Sequence, residues 1–280
     1  MSEFWKRTLS GVVYVAVVVG CILYNEYLFA ALSAILASLA VREFNRLIRP
    51  HELMDIFSEF GAFMLVALIA SWLHGWPLFS ALSVFYIIWM LAAIIIELWN
   101  KNGNPVVNWG NLIAGQVMIT LPFALMNVLN HIDSYLLLAV FVLIWVNDSG
   151  AYCVGVLTAK KMPGGNHKMF PRVSPKKSWE GLFGGLAFSI GAAFILNRFG
   201  WFDTITKPGF ELLIAGAFAF VVSAFGTLGD LMESLFKRTI GVKDSGKFLP
   251  GHGGVLDRFD SILLAAPVTL LFVLMMISIH

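Results

Sequence analysis

Long apolar stretches separated by short polar breaks dominate the chain, and the stretch from Trp76 to Trp99 shows the pattern at full length. A helix needs about 20 apolar residues to cross a hydrocarbon core, so these stretches predict membrane spans. The polar breaks place about nine of them, at 8–24, 28–48, 57–74, 76–99, 106–129, 134–157, 181–198, 209–236 and 258–278. The narrowest breaks are Asn25–Tyr27 and His74–Trp76, where only a tight turn separates neighbouring runs. The first run follows Lys6 and Arg7 as a signal peptide would. A second run starts almost at once, so an uncleaved hairpin is expected. Residues 158–180 and 237–257 break the pattern, being polar, basic, glycine-containing and too charged to enter lipid. The expected fold class is therefore all-α and polytopic, with about nine transmembrane helices and two basic loops in water.

Composition strengthens this expectation. The chain is 59% hydrophobic and 13% charged, where a soluble domain carries about 25% charged residues. A net charge of +2 argues against nucleic acid as a partner and leaves membrane lipid as the surrounding solvent. Cys21 and Cys153 fall inside apolar runs with no metal or disulfide spacing, so packing is expected of both. Basic residues near span ends stay on the cytosolic side, and an N-terminus inside places 17 of the 19 Lys and Arg there, leaving only Arg198 and Lys207 outside. Both long loops are then cytosolic.

Charged groups inside membrane helices are expensive and usually functional. Asp230, Glu233, Ser234 and Lys237 recur at i, i+3, i+4 and i+7, on one helical face. Asp257, Asp260 and Ser261 repeat the first part of that spacing beyond the basic loop, and Asp148 lies within about three turns of the cytosolic end of the sixth span. Carboxylates beside Lys, Arg and backbone N–H groups suit a nucleotide with magnesium, because oxygens hold the hard cation while basic groups bind phosphates. Taken singly, each has a plainer explanation. Lys160 and Lys161 read as topology signals, Gly181 and Gly185 as close helix packing, and Glu43 and Glu97 as acids snorkelling to water or pairing with Arg42 and Arg46. Glu26, Asp133, Asp203 and Glu211 lie toward the outer face and receive no catalytic role.

From Ser234 to Asp260 the run SLFKRTIGVKDSGKFLPGHGGVLDRFD resembles the signature of the phosphatidate cytidylyltransferases, also called CDP-diacylglycerol synthases. The resemblance rests on Ser234, Lys237, Arg238, Lys243, Asp244, His252, Gly253, Gly254, Asp257, Arg258 and Asp260. The segments Asn147–Tyr152, Ser174–Gly181 and Gly226–Asp230 are also similar to family segments, with Ser178 where threonine is commoner. Residues 140–280 carry the resemblance, and before them only the hydropathy pattern is similar. Hence 1–130 is expected to hold about five N-terminal spans, and 131–280 a catalytic transmembrane region with the nucleotide and metal site.

The resemblance implies an enzyme that joins CTP to phosphatidic acid, giving CDP-diacylglycerol and pyrophosphate with Mg2+ as cofactor; a second cation and a homodimer are both allowed. The implied location is an integral membrane one, the cytoplasmic membrane if the source is bacterial, with the active site facing the cytosol. Asp230 and Asp257 are first choices as metal ligands, with Asp260 and Asp148 behind them. Catalysis is assigned to Asp230, Asp257, Lys237, Arg238 and Ser234. Lys177, Ser178, Lys237, Arg238, Lys243 and Arg258 are expected on phosphates, while Glu180, Asp244 and His252 bind base or ribose, order the loop or assist pyrophosphate departure. The nearest rival is a CTP-dependent lipid kinase, distinguished by releasing CDP. A transporter would place its acids near the midplane, whereas these crowd span ends and no inverted repeat is visible.

Overall fold

The computed structural model describes residues 3–48, 52–101, 104–246 and 253–279, with the backbone alone at 3–10 and 52–54. Among them, eight helices are long and apolar enough to cross a membrane, and Gly11–Tyr24 is a shorter apolar helix. The chain is an all-α polytopic membrane protein. Asn25 is the single-residue break between α1 (Glu3–Tyr24) and α2 (Glu26–Ile48), its side chain accepting a hydrogen bond from Tyr27 N at 2.7 Å. Gly75, at φ 61°, lies in the turn between α3 (Glu52–Leu73) and α4 (Leu78–Ile95). Asn104 caps α5 (Pro105–Ala114), which continues through a π-helical turn at Gly115–Thr120 into α6 (Leu121–Ile132). Asp133 caps α7 (Ser134–Lys161). A hairpin of β1 (Lys168–Phe170) and β2 (Ser174–Ser178) precedes α8 (Trp179–Arg198) and α9 (Glu211–Thr239). The described chain ends with α10 (Leu256–Phe259) and α11 (Ile262–Ser278).

Two compact units result: Met1–His131 with Asp244–Phe259, and Ile132–Lys243 with Asp260–His280. In the first, Ala34, Ala37, Ala40 and Val41 form a fully covered stripe on α2, and small side chains of this kind let membrane helices approach closely. Gly61 of α3 leaves room for the Trp89 indole of α4; a Cβ there would lie 2.0 Å from the ring. On α4, Phe85, Ile87, Ile88 and Leu91 remain exposed, which is costless where the solvent is lipid. Glu97 does not reach for water as the sequence suggested. It is buried and accepts from Asn108 Nδ2 at 3.1 and 3.2 Å and Asn100 Nδ2 at 3.1 Å.

The second unit is built on α7, buried from Leu136 to Phe141 and packed on α8. Glycines set that approach, since a Cβ on Gly185 would lie 2.6 Å from Asn147 O and one on Gly181 2.9 Å from Ala151 O. Close packing is what these glycines supply, as their spacing suggested. Ser223 of α9 donates to Ser189 of α8 at 2.7 Å within the buried interface. The strands are a departure from the sequence expectation of an irregular loop at 158–180. Lys168 pairs with Ser178 and Phe170 with Ser174, and the irregular ladder ends where Ser178 becomes the cap of α8.

Candidate functional site

A cavity of about 560 Å³ opens in the second unit, within the range of roughly 300–1,000 Å³ typical of small-molecule sites. Four elements line it: α7 with Asn147, Asp148 and Tyr152, the hairpin with Lys168 and Lys177, the start of α8 with Ser178 and Gly181, and α9 with Thr227 and Asp230. Lys177 Nζ lies 2.7 Å from Asp230 Oδ2, both side chains partly exposed, so a carboxylate positions the cation at the cavity wall. Ser178 Oγ accepts from Gly181 N at 3.2 Å, closing the first turn of a 20-residue helix whose N-terminus borders the cavity. Helix N-termini carry unsatisfied N–H groups and a positive dipole end, a standard setting for phosphate. The wall thus offers both charge signs.

The face read from spacing on α9 exists as such. Ser234 Oγ donates to Asp230 Oδ1 at 3.2 Å, and Lys237 pairs with Glu233 in a buried ion pair. Gly229, one residue before Asp230, lets the backbone of Asp260 come against α9; a Cβ there would sit 2.5 Å from Asp260 O. Asp260 thereby joins the group and feels the charges of Asp230, Asp148 and Lys237. Asn147 Nδ2 donates to Thr227 Oγ1 at 3.4 Å, while Asn147 Oδ1 is buried and accepts no hydrogen bond among the described residues.

In the first unit the glycine-rich segment folds around a carboxylate that the sequence analysis passed over. Glu43, buried on α2, accepts from Ser245 Oγ at 3.1 Å, Val255 N at 2.9 Å and Leu256 N at 2.9 Å. It neither snorkels nor pairs with its neighbours, since Arg42 bonds Glu59 instead. Glycine is required around it, because a Cβ on Gly246 or Gly254 would come within 2.6 or 2.2 Å of its oxygens. Asp257 works beside it, accepting from Ser245 N at 2.9 Å and Gly254 N at 2.8 Å, as an acid in the first turn of a helix can. Gly253, at φ 84°, makes the turn between them.

The residues singled out from sequence therefore fall into groups. Asp148, Lys177, Ser178 and Asp230 line one cavity, with Ser234, Lys237 and Asp260 on or beside the same α9 face. Asp257 belongs to the first unit, where its carboxylate clasps the loop. Arg238 spends Nε on Val173 O at 3.4 Å and a second nitrogen on Val242 O at 3.1 Å, tying the hairpin turn to the end of α9. Glu180 accepts from the backbone and ring nitrogens of His167, which fits the loop-ordering role among its alternatives. Lys243, Asp244 and Arg258 are exposed, and His252 lies outside the described residues. Glu43 as an anchor of Ser245, Val255 and Leu256, and the buried acceptor of Asn147, were not foreseen from the sequence. The only signal for either was position, Asn147 opening a quoted family segment and Glu43 being a charge inside a span.

A family model described as the cytidylyltransferase family matches residues 5–276. The phosphatidate cytidylyltransferase of Haemophilus influenzae is 34% identical over 287 residues, covering 94% of this chain and 96% of that protein. That of Staphylococcus saprophyticus is 30% identical over 266 residues with the same two coverages. That of Staphylococcus epidermidis is 46% identical over 134 residues, an alignment spanning 48% of this chain and 46% of that protein.

Proposed function

The chain belongs to the cytidylyltransferase family, and from that membership we propose that it joins CTP to phosphatidic acid, releasing CDP-diacylglycerol and pyrophosphate in phospholipid biosynthesis. It is a nucleotidyltransferase embedded in a membrane. The observation that carries the reading to this chain's own residues is the cavity where Asp148, Asp230, Lys177 and the α8 N-terminus meet. Two phosphate-bearing anions repel, so a site that joins them must supply cations and oriented dipoles. Phosphatidate is itself the nucleophile, carrying a second phosphate pKa of about 6, so no general base is required. One of its oxygens bonds to the α-phosphorus of CTP, the bond from that phosphorus to the bridging oxygen breaks, and pyrophosphate departs with the electron pair. Lys177 and the first turn of α8 hold phosphates through this exchange, and Asp230 keeps the Lys177 ammonium aimed into the cavity.

Magnesium is part of the proposal. Asp148 and Asp230 on the cavity wall, the unbonded Asn147 Oδ1, and Asp260 close enough to feel both acids offer hard oxygens, which fits that ion. When bound, it would neutralise phosphate charge around the α-phosphorus. The membrane is the cytoplasmic one and the cavity faces the cytosol, a reading supported by the 17 of 19 basic residues on one side.

The test is incubation of the purified protein with CTP labelled at the α-phosphorus, phosphatidic acid and magnesium. Label is expected in the lipid fraction with unlabelled pyrophosphate released. Labelled CDP with an unlabelled lipid product would establish the kinase reaction instead.

A further inference from the structure

At the other end of α2 from Glu43, about 26 Å away by helical rise, a second polar cluster joins three chain segments. Glu26 opens α2, His74 follows the end of α3, and His131 lies in the last turn of α6, all in the first unit. Glu26 Oε2 is 2.8 Å from His131 Nδ1 and 3.8 Å from His74 Nε2. One potential ligand atom from each residue lies within 4.8 Å of the other two. In a tetrahedral zinc site with ligands near 2.1 Å, neighbouring donors stand roughly 3.4 Å apart, so side-chain shifts of under about 1 Å would close the set. The two imidazoles meet edge to face with centroids 5.5 Å apart, presenting different directions rather than stacking.

We propose that Glu26, His74 and His131 form a divalent metal site of the zinc class, separate from the nucleotide cavity. Two imidazoles and one carboxylate are a borderline-soft donor set, suited to zinc, cobalt or nickel and poorly suited to magnesium or calcium, which take oxygens. One carboxylate against a divalent ion leaves a single positive charge, and three protein ligands leave the fourth position for water. The set is also supported from behind. Tyr27 packs its ring on His74 at 4.3 Å and stacks on Trp76 at 5.6 Å, so the His74 ring is held before any ion arrives. Glu26 and His131 are each about two-fifths exposed (39% and 42%), which leaves a path for the ion. Filling the site would cross-link the ends of α2, α3 and α6, replacing a hydrogen bond with coordinate bonds.

Chemistry that needs none of this is also available at the cluster. An acid at a helix N-terminus beside a histidine at a helix C-terminus forms a favourable hydrogen bond by itself. Titration of the intact, tag-free protein in detergent with cobalt chloride, followed by zinc chloride, separates the two. A metal site gives visible ligand-field absorption saturating at one equivalent per chain, bleached by zinc. His74→Gln and His131→Gln would each weaken binding by about tenfold or more, and Glu26→Gln less. CTP turnover without added transition metal should be unchanged in these variants, which shows them folded. Absorption that fails to saturate at one equivalent, or that persists equally in both histidine variants, would overturn the proposal and leave only the hydrogen bond.

Discussion

Replacing Glu43 by glutamine tests whether one buried carboxylate holds Ser245, Val255 and Leu256 in place. Glu43 serves three donors, with Val255 N on Oε1 and both Leu256 N and Ser245 Oγ on Oε2. Glutamine keeps the shape but turns one oxygen into an NH2 group. Whichever way the amide lies, one backbone N–H then faces another donor in a buried place. Leaving such a group unsatisfied costs about 1–3 kcal/mol, and the surviving bonds lose their charge assistance, about half their strength. A total near 2–4 kcal/mol follows for the segments that Glu43 holds. If turnover requires that order, kcat/KM should fall by about 30- to 1,000-fold, at 1.36 kcal/mol per factor of ten. Arg42→Gln, one residue away on α2, should stay near the parent activity. Hydrogen exchange supplies a second reading, because the Val255 and Leu256 amides should lose protection while those of α7 keep theirs. Turnover of the glutamine variant within threefold of the parent, with both amides still protected, would refute the reasoning.

Asp148→Asn and Asp230→Asn should each lower kcat by about 100-fold or more, and the double variant should be little worse than the poorer single one, because residues that act as one unit are non-additive. Additive losses with an unchanged magnesium requirement would separate the two carboxylates. Lys237→Met removes the cation paired with the buried Glu233 and should cost about 3–5 kcal/mol of stability, read as a lower melting temperature. Adding Glu233→Gln should recover most of that stability, and recovery of turnover as well would remove Lys237 from phosphate binding. For orientation, cysteines introduced at Lys161 and Lys243 in a background lacking Cys21 and Cys153 should resist an impermeant thiol reagent applied to intact cells, while one at Asp203 reacts; the reverse pattern would invert the topology.

Much of the fold is legible because lipid is a uniform solvent. A span needs only length and the absence of charge, so the expected span 134–157 falls within α7, and 209–236 begins only two residues before α9 and ends inside it. Helical spacing reads the site equally well where partners share an element. The i, i+4 relations on α9 anticipate both the Ser234–Asp230 bond and the Glu233–Lys237 pair. Partners on different elements escape it. Ser245 lies 202 residues from Glu43, and no local pattern distinguishes an acid that points inward near a span end from one that reaches for water. The hairpin escapes for a related reason, since five residues with proline and two lysines carry little strand propensity and pair because α7 and α8 hold their ends.

The same distinction sorts the candidate carboxylates by the bonds they already make. An ionised carboxylate has about four acceptor positions. Glu43 fills three of them with neutral donors fixed in the protein, which makes it a loop anchor with little left for an ion. Asp257 gives its acceptors to two backbone N–H groups, so its share in metal binding competes with holding the loop. Asp230 is different in kind. Its partners are a hydroxyl that can rotate and a lysine that can move to a phosphate, both of which can yield when a cation and a triphosphate arrive. Asp148 lines the same cavity from α7. By this argument Asp230 and Asp148 rank first as candidates for the proposed magnesium, and Asp257 moves behind them, although helical spacing alone ranks Asp257 beside Asp230.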